Sequence, residues 1–309
     1  MPWNFERVAG PFGGATMGLA WDGTGMLFCA VDEERILRFD PETRTSDEFR
    51  KYTQRASGIA WGPDDILFGS QEAGRRIIAF MPDGSARQTA YRLDGCFHNQ
   101  PVDLIVDRTG RVWFCDPHSA RRPPGVFVFP PLPHASVLRL ERTSHREWTL
   151  QRVTHDTVAP RALLLSADET VLYVAEGEVG QSGPRELRAY PIASDGTVGR
   201  FSVLHSFGAD YRGEHRGIAG MCLDSEGNII ACAGWRKSGP GPLVYVFAPS
   251  GAVLETHALP TDLPNRCAFG DADLRSLYVT SMDGCVYRTA HIGRRGHAAN
   301  FVSVLPQAV

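Results

Sequence analysis

Four arginines, three histidines and three carboxylates stand at places in this chain where side chains could converge on one small ligand. Arg161, Arg216, Arg236 and Arg266, then His98, His118 and His215, then Asp103, Asp116 and Glu176 lie at or beside the ends of short apolar runs. Arginine forks hold carboxylate or phosphate through paired hydrogen bonds. Histidine is the natural general base near neutral pH, and a carboxylate serves either as base or as the partner that orients a histidine. Together these types suit attack of water on an ester or lactone of an anionic molecule, with arginine stabilising the oxyanion. His215, in Glu214-His215-Arg216-Gly217, and His118, in Asp116-Pro117-His118, lead as bases, with Glu176 and Asp103 next. No Gly-x-Ser-x-Gly elbow, phosphate-cradling glycine loop or His-Glu-x-x-His motif occurs, which removes support for those mechanisms. Lysine occurs only at 51 and 237, so the abundance of arginine marks no site by itself.

The elements that must position these groups are repeated. Six times a short apolar strand runs into a tight acidic or glycine turn and a second apolar strand: Gly18 to Gly23, Gly58 to Asp64, Val102 to Asp107, Arg161 to Ser166, Gly217 to Asp224 and Arg266 to Gly270 open the six copies. Repeats about 40 to 60 residues apart, each able to make a four-stranded sheet, predict an all-β fold, a six-bladed β-propeller of four-stranded antiparallel blades. A single domain is expected over residues 1–309. Starts of inner strands, ends of second strands and the crossovers between blades then share one face. That face gathers Met17, Arg161, Arg266, Trp235, Arg236, His98, Tyr211 and Asn265 as substrate-binding residues, around the bases named above. The opposite face reads as turn chemistry, as in Asp107-Arg108-Thr109-Gly110. The proline-dense stretch from Arg121 to His134 reads as a lid or rim loop on the candidate face. Either Glu6-Arg7-Val8 or Phe301 to Leu305 closes blade 6.

Composition limits the partners. A formal charge of −3 gives no support for nucleic acid. No run approaches the roughly 20 apolar residues of a membrane span, and the start, Met1 to Arg7, has no apolar signal core, so a cytoplasmic location is expected. Seven cysteines without a CxxC pair read as buried, reduced thiols.

Trp21-Asp22, the run from Pro101 through Asp107 to Gly110 to Pro117, Leu172 to Glu176, Gly220-Met221 and Cys267 to Gly270 with Leu277 to Thr280 together resemble the SMP-30/gluconolactonase/LRE-like family of six-bladed propellers. The resemblance covers nearly the whole chain. It implies a hydrolase fold that usually carries a divalent cation, most often calcium, held at the channel by one Glu, two Asn and one Asp. The corresponding positions here are Met17, Val102, Arg161 and Ala219, and a further usual Asn corresponds to Arg266. A thioether, an isopropyl group, a guanidinium and a methyl group give a hard cation no oxygen. The expectation is a metal-free pocket with no cofactor, calcium entering only if these correspondences shift. Three readings stay open: a metal-independent lactonase-like hydrolase for a small anionic substrate, a lyase, isomerase or condensing enzyme resembling the branch around strictosidine synthase, and a binding propeller without catalysis.

Overall fold

The computed structural model describes residues 2–118, 130–144, 147–177 and 183–301. Six four-stranded antiparallel sheets stand around a central channel. Their inner strands are Thr16–Trp21, Ala56–Trp61, Asp103–Val106, Pro160–Leu165, Ile218–Leu223 and Pro264–Gly270 for blades 1 to 6. Each pairs with a second strand that is covered by the neighbouring blades on both faces, so Met26–Ala30, Val112–Asp116 and Ile229–Ala233 are buried at every position. Covering on both faces is why these runs are continuously apolar rather than alternating. Outermost strands such as Val253–Ala258 are mostly exposed and more polar.

The recurring aspartate of the strand turns has a defined local task. Asp22 Oδ1 accepts the backbone N–H groups of Thr24 and Gly25 at 2.9 and 2.6 Å. Asp107 and Asp224 repeat the arrangement, Asp107 also accepting the indole N–H of buried Trp113 at 2.8 Å. A side chain that replaces a backbone acceptor two residues on fixes the tight turn.

Closure is made by the N-terminal strand. Glu6–Ala9 pairs with Val286–Thr289 and completes blade 6, with Glu6 facing Arg288. Phe301 lies elsewhere, packed against the apolar clusters of blades 1, 2 and 3. Two small ladders leave the blades on the face of the inner-strand starts, Arg92–Leu93 with Cys96–Phe97 and Ala209–Asp210 with Gly213–Glu214. Cys96 is a ladder residue, paired with Leu93. All seven cysteines are free thiols.

Candidate functional site

Inner strands alternate, and the channel shows which side faces it. Within largely buried strands, the half-buried Leu19, Ala60, Ile105, Leu164, Cys222 and Ala268, one from each blade, form a ring around the channel. Two residues earlier along blades 3 and 6, on the same face of their strands, stand Asp103 and Arg266. Their side chains meet across the channel, Arg266 Nε lying 3.1 Å from Asp103 Oδ1. Arg266 Nη2 also donates to the Val102 carbonyl at 2.9 Å. In blades 2 and 5 the same level is occupied by Gly58 and Gly220. A Cβ on Gly220 would stand 2.4 Å from the Asn265 carbonyl and 2.9 Å from Arg266 Cδ, so only glycine lets the arginine cross. The ion pair is thus a septum that divides the channel.

Beyond the septum, toward the inner-strand starts, five of the six inner strands carry a register shift, at Met17/Leu19, Ala56/Gly58, Pro160/Ala162, Ile218/Gly220 and Pro264/Cys267. A bulge adds one residue and re-aims the chain. In blade 4 the added residue is Arg161, which brings it to the same side as Leu164 despite the odd spacing. Arg161 is half-buried, and its charge acts on Glu72, the residue just past the second strand of blade 2. Glu72 is half-buried, 3.6 Å from Arg55 Nε, and Arg55 also pairs with Asp32. Burial pushes the Glu72 carboxyl above the usual carboxylate range, against the pull of Arg55 and Arg161. Glu72, absent from the sequence expectations, lies one residue past the strand end at Gln71.

The residues expected at the site divide into several groups. Met17 is buried at the channel wall among apolar side chains. Arg266 is 4% exposed, and its charge is answered by Asp103, itself buried, whose Oδ2 also accepts the Leu163 N–H at 3.3 Å. Burial raises the Asp103 pKa, with Arg266 opposing. Instead of clamping an external anion, this arginine is held by an internal carboxylate.

His215 is buried and stacked on Phe207, with Nε2 2.9 Å from the Pro240 carbonyl and Nδ1 2.9 Å from the Gly217 N–H. Both ring nitrogens are occupied by backbone, which makes it a strut and leaves neither to take a proton from water. Glu176 is similarly engaged, Oε1 accepting the N–H groups of Val158 and Ala159 at 2.8 and 2.6 Å and Oε2 lying 3.6 Å from Arg188. Its pKa is raised by burial. Asn265 ties blade 6 to blade 1, its Nδ2 donating to the Thr16 carbonyl at 2.9 Å and its Oδ1 accepting from Arg216.

His98 lies fully buried behind Phe114, and burial with the neighbouring Arg75 charge pushes its pKa down to about 3. Neither of its ring nitrogens has a hydrogen-bond partner. Asp116, beside it, has its carboxyl pushed up to about 7 by burial. His118 is exposed at the same face. Of the expected lid, residues 121–129 lie outside the described residues, and Leu132 is buried with its N–H on the Phe97 carbonyl at 3.1 Å. Arg236 is exposed and tied to the blade 5 to 6 crossover through Asp262 and the Pro260 carbonyl. Trp235, half-buried, donates to Ser238 Oγ at 2.7 Å in a rim cavity of about 280 Å³ shared with His215. Tyr211 is 97% exposed at the tip of its ladder and touches no channel.

The turn face is more than turn chemistry. A cavity of about 430 Å³ runs from the septum to that face, walled by the ring residues and bounded outside by residues 297–301. The segment is anchored by the His297 N–H on the Leu223 carbonyl at 3.0 Å and by Asn300 Nδ2 on the Val106 carbonyl and Glu169 at 3.1 and 2.8 Å.

A family model described as the SMP-30/Gluconolactonase/LRE-like region matches residues 15–283, the span of all six inner strands. The chain belongs to this family. A gluconolactonase of Zymomonas mobilis subsp. mobilis is 27% identical over 239 residues, 75% of this chain. The match spans 62% of that enzyme, less than two thirds of its length. A 6-deoxy-6-sulfogluconolactonase of Pseudomonas putida is 28% identical over 250 residues, 74% of this chain and 77% of its own length. Among solved structures, XC5397 from Xanthomonas campestris, described as a gluconolactonase, superimposes with a TM-score of 0.76 at 26% identity, covering 93% of this chain and 89% of that one. This member of the SMP-30/gluconolactonase/LRE-like family is thus a distant homologue of gluconolactonases, and its septum and bulged arginine lie inside the matched region.

Proposed function

We propose that the protein hydrolyses a small sugar-acid lactone bearing an anionic group, at the end of the channel where the inner strands start, and that it does so without a metal ion. The observation that carries this reading is Glu72, a half-buried carboxylate at the strand-start end of the channel on which the Arg161 charge acts. Glu72, ionised, takes a proton from water as the water attacks the lactone carbonyl carbon. The guanidinium of Arg161 donates to the oxyanion that forms. Collapse breaks the bond to the ring oxygen, which leaves as the alcohol with the proton held by Glu72, and the product is a hydroxy acid. A raised carboxyl pKa makes Glu72 a better base than an exposed carboxylate. The name of the Pseudomonas relative's substrate, a sulfogluconolactone, supports an anionic group.

The family's usual cation does not fit the residues present. A hard cation needs several oxygen donors, and Met17, Val102, Arg161 and Ala219 offer none. Among the described residues no group of three or more His, Cys, Asp or Glu side chains is placed to hold a metal ion. Assay of lactone opening with and without excess chelator tests both halves. Turnover of a sugar-acid lactone undiminished by the chelator is expected. Activity lost with the chelator and restored by calcium would overturn the metal-free reading, and no turnover of neutral or sulfonated lactones would overturn the hydrolytic one.

A further inference from the structure

We propose a second binding site, separate from the hydrolytic one, in the turn-face half of the channel. Its ligand is a neutral molecule with an alkyl tail and one carbonyl or hydroxyl oxygen at its head. Three observations converge. Every residue of the channel-facing ring is apolar or a thiol, and three of the six, Ala60, Cys222 and Ala268, are small. They leave the volume that Leu19, Ile105 and Leu164 would otherwise close. The resulting 430 Å³ falls within the range of small-molecule pockets, and its wall runs along the four residues of Asp103–Val106, about 13 Å of strand. An alkyl chain of about eight to ten carbons fits that depth.

The head group is specified by the septum. Arg266 and Asp103 both line the inner end of the cavity, Arg266 almost wholly buried, so the apolar ring ends on a charged pair. Asp103 already balances the charge, so a ligand carboxylate would add an uncompensated buried anion. A neutral oxygen meets the polar pair without adding a charge. Trp21 and Trp61 line the same cavity and report on its occupancy.

The test is titration of the full chain with the 2-alkanones from 2-hexanone to 2-nonanone, and with nonanoate, followed by tryptophan fluorescence and by thermal shift. Affinity should rise about fourfold per added methylene, with nonanoate at least about tenfold weaker than 2-nonanone. Ala268→Leu, which fills the lumen, should weaken 2-nonanone about tenfold or more, and Ala60→Leu in a different blade should do the same should the first variant not fold. Absence of any spectral or thermal response up to the solubility limit would overturn the proposal. So would nonanoate binding as tightly as the ketone, or unchanged affinity in a folded filling variant. Because the readout is binding, its failure is distinct from a failure of lactone turnover.

Discussion

The two halves of the channel are built from the same six strands yet differ in kind. Toward the turns, simple alternation places one apolar side chain or thiol per blade on the lumen, with polar residues such as Glu169, His297 and Asn300 at the mouth. Toward the strand starts, bulges in five blades break the alternation, and charged side chains enter: Arg161 with Glu72, and nearby Arg55 with Asp32. Regular register lines one half with apolar side chains, and irregular register accompanies the charges of the other. The Arg266–Asp103 pair keeps the two apart.

The sharpest way to break the comparison is through Glu72. Glu72→Gln should lower kcat for lactone opening by about 10² to 10⁴ while leaving the urea midpoint nearly unchanged. The alkaline-rising limb of the wild-type rate profile, set above the usual carboxylate range, should vanish with it. A loss of less than tenfold would remove Glu72 as the base.

Next in size is the septum. Arg266→Ala leaves Asp103 buried and unpaired, which should cost about 3–5 kcal/mol of unfolding free energy, read from urea denaturation. Adding Asp103→Asn to the Arg266 variant should recover part of that loss. Additive losses would mean that the pair is not coupled and that the two halves are not divided by it.

Buried titratable groups behind the charged half give a smaller, pH-dependent effect. The Asp116 carboxyl, raised to about 7, binds its proton more tightly in the folded than in the unfolded chain. Its contribution is therefore fully present at low pH and is lost as pH rises through about 7. His98, held down to about 3, contributes in the opposite sense, gaining as pH rises toward its ordinary 6.5. Asp116→Asn should consequently gain stability relative to wild type between about pH 4 and pH 7, measured by urea midpoints across that range. A flat difference would show that the carboxyl titrates normally.

The smallest effect belongs to the apolar-lined half. Asn300→Ala removes two hydrogen bonds that hold the segment over the turn face, and should cost about 1 kcal/mol with lactone turnover unchanged. A change in turnover would mean that the halves communicate.

How much of this was legible depends on the range of the determining contacts. The propeller was, because each blade is written locally as strand, acidic or glycine turn and strand, and the turn aspartates Asp22, Asp107 and Asp224 accept backbone N–H groups within four residues. Arg161 was legible as a charge at a strand start, although the bulge that aims it was not. The histidines misled: His215 is consumed by the Pro240 carbonyl, a partner 25 residues away in the loop between the second and third strands of the same blade. Arg266 was taken for a ligand clamp because Asp103, 163 positions earlier, is its neighbour only once the ring has closed. Glu72 followed a strand end by one residue and was overlooked for that reason. The apolar lumen was hidden because its wall positions are apolar like the core positions beside them.

The pairing of Glu6 with Arg288 has a consequence for synthesis. The first strand made is the last to find its partner, and at about 5–20 residues per second it must wait on the order of tens of seconds for the ribosome to reach blade 6. During that interval the nascent protein carries an open ring with two unpaired sheet edges. The waiting strand is short and begins with Glu6 and Arg7, both exposed even in the finished blade. Such a charged, abbreviated edge is a poor template for pairing with another chain, so the latch that completes the ring is also built to stay solitary until its own partner emerges.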